Sequence, residues 1–120
     1  LLIRYFRACG IDTALHIPDR QKEGYGPNIE GLRKLAKQGA RLVVTVDTGT
    51  LAFEPLAQAA AEGIEVLVVD HHMGEPTLPQ AVAVVNPNRF DEPSPHGYLA
   101  AVGVTFLLLV ALQKTLREQG

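Results

Sequence analysis

Thiol chemistry is nearly missing from this sequence, which holds one cysteine, Cys9, among its 120 residues. A lone thiol forms no internal disulfide and builds no thiolate zinc site; this suits a reducing compartment and gives Cys9 the role of a buried structural thiol. Long apolar runs are missing too. The longest, from Leu99 to Leu112, is interrupted by Gly103 and Thr105 and falls short of the roughly 18 apolar residues that a bilayer span takes. The first residues show no basic flank, apolar stretch and small-residue cleavage site of a secretory pattern, and the cytoplasm is the expected compartment. An excess of one charge is also lacking. With 11 basic and 13 acidic residues the net charge is −2, which argues against a protein that coats polyanions through its overall field and leaves any nucleic-acid contact to local features. No Gly-x-Gly-x-x-Gly or Walker-type loop follows an apolar run, which counts against a plain nucleotide-binding domain.

What is present reads as one domain over residues 1–120, with 47% hydrophobic residues to fill a core. The chain opens Leu1, Leu2, Ile3 and its one methionine is Met73, so it is expected to be an internal piece of a longer protein. Runs at 13–17, 42–46 and 64–69 are rich in β-branched residues and apolar on both faces, as buried parallel strands are; a fourth covers 81–85. Helical patterns alternate with them. Residues 1–8 read as a helix closed by Gly10. Asn28 caps a helix with Ile29, Leu32, Leu35 and Ala36 on one face, ended by Gly39. An alanine-rich helix over 53–62 has Pro55 in its first turn and stops at Gly63. The last helix is expected from Gly97 or Tyr98 to about Glu118, with Val102, Phe106, Leu109, Val110 and Gln113 on its core face. This order predicts an α/β fold, a mainly parallel sheet with helices on both faces, with irregular loops at 73–80 and 86–96.

Ligands of open α/β sheets bind beyond the carboxyl ends of the strands. Two acids stand there: Asp47 directly after the strand ending at Val46, and Asp70 after Val69, followed by His71 and His72. Neighbouring strands run about 4.8 Å apart, so carboxylates at such ends can converge on two cations held about 3.5–4 Å apart. An aspartate after a strand also serves as a plain turn or cap residue. A second strand-end aspartate together with Asp-His-His moves the reading toward metal. Because consecutive side chains of an extended segment point to opposite sides, one histidine is expected to ligate metal and the other to face substrate or protein. Carboxylate and imidazole without thiolate favour manganese or magnesium over zinc. Beyond the first run, Arg20 and Tyr25 flank turn glycines at Gly24 and Gly26, where an arginine can fork a phosphate and a tyrosine can stack a base; the plain alternative is a turn in which Arg20 pairs with Glu23. Asn86, Pro87, Asn88 and Arg89 read first as a turn, with Arg89 a candidate phosphate contact. His16 reads as pointing outward from a strand and His96 as a loop residue.

The pair of strings Thr45-Val46-Asp47-Thr48-Gly49 and Asp70-His71-His72 resembles two successive motifs of the DHH phosphoesterase family. Ile17-Pro18-x-Arg20-x-x-Glu23-Gly24-Tyr25-Gly26, Val85-Asn86-Pro87-Asn88 and Ala101-Val102-Gly103-Val104-Thr105-Phe106 resemble its RecJ branch, and the ordered set covers nearly the whole chain. The resemblance implies part of the catalytic domain of a 5′-to-3′ exonuclease acting on single-stranded DNA in repair and recombination with Mn2+ or Mg2+. It also implies that Asp47 is shared by two ions, that His71 is a ligand, that Asp70 belongs to the metal site, and that His72 meets the scissile phosphate. Arg20 and Tyr25 would lie near the 5′ end of the strand, and a repair helicase or single-strand-binding protein would be a partner. The family's Asp-x-Asp motif, its later aspartate and the substrate motif of its second domain are not among these residues, so the 120-residue piece is expected to be inactive alone. Relatives that hydrolyse oligonucleotides or cyclic dinucleotides, and non-catalytic relatives that serve as scaffolds, are the rival readings.

Overall fold

The structure is a computed structural model that describes residues 1–24 and 26–119, with only the backbone of Arg20 and Glu23. In chain order it runs α1 (Leu2–Ala8), α2 (Arg20–Glu23), α3 (Ile29–Lys37), β1 (Leu42–Val46), α4 (Phe53–Ala61), β2 (Glu65–Val69), β3 (Ala83–Val85) and α5 (Ala101–Glu118). The sheet is parallel, in the order β1-β2-β3. Its helices start and stop for local reasons. Asn28 Oδ1 accepts the Gly31 N–H at 2.7 Å and so caps α3, and Gly39, Gly63 and Gly10 stand at positive φ just past α3, α4 and α1.

Alternation along the strands builds the core. Val43, Val66, Val68 and Val84 turn to one face and pack with Leu32 of α3 and Leu56 and Ala59 of α4. α5 packs on β2 through a separate set of buried residues, Ala101, Val104, Thr105 and Leu109. The α/β sheet expected from the sequence is therefore observed. α1 attaches to α5, where the Tyr5 hydroxyl donates to Gln113 Oε1 at 2.7 Å. Among the described residues no helix is long and apolar enough to cross a membrane.

Several expectations need correction. Residues 13–17 form no strand: an extended segment becomes one only by joining a ladder, and no described strand pairs with it, so Leu15 and Ile17 stay exposed. His16 turns inward instead and lies against α3, where a Cβ on Gly31 would strike its ring. Cys9 is exposed, because α1 contributes no buried residue. On α5 the buried face is the one through Val104, Thr105 and Leu109, whereas Val102, Phe106 and Val110 remain exposed. A helix apolar around most of its circumference gives periodicity no face to select.

Gly49 shapes the turn that leaves β1. Its φ is +116°, and a Cβ there would stand 2.8 Å from Thr45 Oγ1 and 3.1 Å from Val68 Cγ1. Alanine at this position meets both the wrong backbone region and a filled space. Gly49→Ala is expected to cost about 2 kcal/mol, measured as a lower urea midpoint; an unchanged midpoint contradicts that account.

Candidate metal centre

Register places the chemistry. Val46 pairs with Val69 and Val69 with Val85, so the next residues on the three strands, Asp47, Asp70 and Asn86, stand side by side at the carboxyl edge. The ladder carries one rung further. Asp47 N–H donates to Val69 O at 2.9 Å and Asp70 N–H to Val85 O at 3.0 Å. Past that point the sheet supplies no partners, and side chains take over.

Asp47 is the described non-glycine residue with positive φ, at 66°. Aspartate tolerates the left-handed region better than most residues, and backbone held there often marks a functional site. Its carboxylate is largely exposed, and Oδ1 lies 2.8 Å from His71 Nε2. Asp70 is its opposite, at 1% exposure. Oδ2 accepts the Thr50 hydroxyl at 2.7 Å and the Thr50 N–H at 3.2 Å. Oδ1 accepts the His71 N–H at 2.8 Å and lies 2.6 Å from His72 Nδ1. Burial by itself would raise the Asp70 pKa, but hydrogen bonds from Thr50 and His72, then from the His71 and Thr50 amides, outweigh it and hold the carboxyl below its ordinary value. Asp70 is thus an ionised carboxylate that locks His72 into the tautomer with hydrogen on Nδ1.

The four side chains offer ligand atoms that all lie within 4.8 Å of one another. Two carboxylates and two imidazoles without sulfur form the donor set that hard and borderline divalent cations such as manganese and magnesium take, so these residues fit a metal of that class. The histidine rings are neighbours, with centroids 4.5 Å apart and planes at 41°, rather than on opposite sides as strand alternation predicts. β2 ends at Val69, and the Asp70 carboxylate draws the next amides into a turn, so the period of two no longer applies. His71 turns to Asp47 and His72 to Asp70.

Of the remaining candidates, Arg89 is already engaged by other groups. Arg89 closes its fork on Asp91, with Nε to Oδ1 at 2.8 Å, and donates through Nη1 to Val84 O at 2.8 Å. To take a phosphate it would first have to release Asp91. Tyr25 lies outside the described residues, and so does the side chain of Arg20. His96 is exposed beside Tyr98. Sequence reasoning missed Thr50, Asn86 and Asn88 as parts of the site. Asn86 is 4% exposed and Thr50 2% exposed. The available signal was the position of Asn86 one residue past a strand, the same place that singled out both aspartates.

Comparison with known proteins follows the same line. Residues 1–119 match the DHH family, N-terminal domain. The chain is 43% identical over 115 residues to the single-stranded-DNA-specific exonuclease RecJ of Salmonella typhimurium, covering 95% of this chain and 20% of that protein. It is 34% identical over 119 residues to the Thermus thermophilus protein of the same name, covering 97% of this chain and 17% of that one. The chain therefore spans about a fifth of the length of the curated relatives it matches. Among solved structures it is similar to exonuclease RecJ bound to manganese, with a TM-score of 0.79 and 34% identity over 96% of this chain and 29% of that chain. A second likeness is to RecJ in complex with Mn2+ from Thermus thermophilus, with a TM-score of 0.71 and 30% identity over 96% of this chain and 16% of that chain.

Proposed function

Because this chain belongs to the DHH family, we propose that it supplies part of the metal site of an enzyme that hydrolyses phosphodiester bonds of single-stranded DNA from the 5′ end. The observation that carries the proposal is the convergence of Asp47, Asp70, His71 and His72 beyond adjacent parallel strands. Manganese and single-stranded DNA are named for the RecJ proteins it resembles, and both are proposed here, with Mg2+ the alternative ion. Repair and recombination, a cytoplasmic location, and a helicase or single-strand-binding protein as partner belong to the same proposal.

Each residue then has a task. Asp47, exposed and anionic, and His71 through Nε2 are the ligands that reach outward. Bound divalent cations would supply charge neutralisation at the phosphate and activation of water. Asp70, assigned to the metal set from the sequence, contributes its charge to the site and fixes His72 Nδ1, so contact with a phosphate oxygen falls to Nε2 of His72. Arg20 and Tyr25 are proposed contacts near the 5′ end, and Arg89 a phosphate contact only if its fork opens.

A substrate panel on the complete protein tests this. With Mn2+ present, 5′-labelled long single strands are expected to release labelled nucleotide faster than duplexes, dinucleotides or cyclic dinucleotides are cleaved, and a chelator is expected to stop the reaction. Preference for dinucleotides over long strands would favour the oligonucleotide-hydrolase reading, and full metal loading without cleavage of anything would favour a scaffold.

A further inference from the structure

The His71 and His72 peptides lie beyond the last rung of the sheet, yet their carbonyls do not lack partners. Asn86 donates through Nδ2 to His72 O at 2.8 Å and to Thr50 Oγ1 at 2.9 Å. Asn88 donates through Nδ2 to His71 O at 2.5 Å and to Gly97 O at 3.0 Å. Each amide group thus uses both of its hydrogens. The two asparagines are themselves coupled, since Asn86 Oδ1 accepts the Asn88 N–H at 2.8 Å. The segment after β3, which reads as a turn in the sequence, is therefore a clasp on the backbone of the two histidines.

We propose that Asn88 is a positioning residue for the metal site: by fixing the His71 carbonyl against the Gly97 carbonyl it sets the direction of the His71 ring toward Asp47. The inference rests on the metal reading given above. Its physical basis is that a peptide held at its carbonyl has its plane fixed, and the plane determines where the following and preceding side chains leave the backbone. On the other edge of the same peptide, the His72 N–H lies 3.4 Å from Asp70 Oδ1, a longer contact than the 2.5 Å bond from Asn88 to His71 O. Loss of groups that orient metal ligands typically weakens metal affinity about 10–100-fold. Gly97 belongs to the device for a second reason: a Cβ there would run into Asn88 Oδ1. Any larger residue at 97 pushes the amide out of its position while leaving it in the protein.

Two variants with different chemistry therefore have one expected consequence. In the complete protein, Mn2+ binding is followed by electron paramagnetic resonance, with thermal unfolding as a control. Asn88→Ala and Gly97→Ala are each expected to raise the Mn2+ dissociation constant about 10–100-fold while cooperative unfolding is kept. The double variant is expected to be no weaker than the weaker single one, because both remove the same contact. Saturating Mn2+ is expected to restore most of kcat. Should Asn88→Ala fail to fold, Gly97→Ala decides alone, since it deletes no hydrogen-bonding group. Unchanged Mn2+ affinity in either folded variant, or fully additive losses in the double variant, overturns the proposal. Asp47→Asn separates the two readings: wild-type protein that binds Mn2+ no better than Asp47→Asn sinks the metal site itself, whereas wild-type binding lost in Asp47→Asn but intact in both clasp variants sinks the clasp alone.

Discussion

Asp47→Asn in the complete protein is expected to lower kcat on single-stranded DNA by about 10³-fold while leaving the unfolding midpoint near its wild-type value. The two halves of that expectation have separate causes. The carboxylate is largely exposed, and its described hydrogen-bond partner is the partly exposed His71 ring, so the fold loses little with it. Asparagine also tolerates the positive φ of 66° at this position, which makes it a cleaner variant than Asp47→Ala. The charge it removes is the one best placed to hold a cation. A steady-state exonuclease assay beside a melting curve gives both numbers. Retained activity would remove Asp47 from the ligands, and a large fall in midpoint would make it a structural residue.

Asp70→Asn is expected to behave differently, costing both stability and turnover. Its carboxylate is buried and accepts hydrogen bonds from the Thr50 hydroxyl and amide, the His71 amide and the His72 ring. An asparagine presents an oxygen to one side of this nest and an NH2 group to the other, so buried donors are left facing a donor. The expected loss is about 3 kcal/mol, together with a drop in kcat of about 10²-fold as His72 loses its orientation. Acid titration adds a second signature. Since the folded-state pKa of Asp70 lies below its ordinary value, the stability it contributes is fully present above the unfolded-state value of about 3.9 and is lost as pH falls through the lower folded-state value. The stability gap between wild type and Asp70→Asn is therefore expected to be widest near neutrality and to narrow below about pH 4. Urea unfolding at a series of pH values measures it, and a gap that stays constant into acid would show that the charge of Asp70 contributes nothing.

The contrast between these two aspartates was only half legible in the sequence. Their place past apolar β-branched runs was readable, because buried parallel strands have a recognisable composition and the sheet's carboxyl edge is where ligands bind. Which of them is exposed was not, since that depends on Gly49 turning the chain so that Thr50 reaches back across the sheet to Asp70. Long-range contacts of this kind leave no periodic trace. The same holds for Asn86 and Asn88, whose composition signals a turn while their hydrogen bonds reach segments more than ten residues away. The strand expected at 13–17 shows the converse: local propensity was satisfied, but a strand exists only with a neighbour. On α5, apolar residues on nearly every side left the buried face undetermined until packing against β2 was known.

The most direct test of the metal reading is anomalous diffraction from crystals of the complete protein grown with Mn2+. A manganese peak is expected within bonding distance of an Asp47 carboxylate oxygen and of His71 Nε2, with Asp70 still clasped by Thr50 and His72. Manganese bound away from Asp47 and His71, or none at a concentration that supports cleavage, would contradict it.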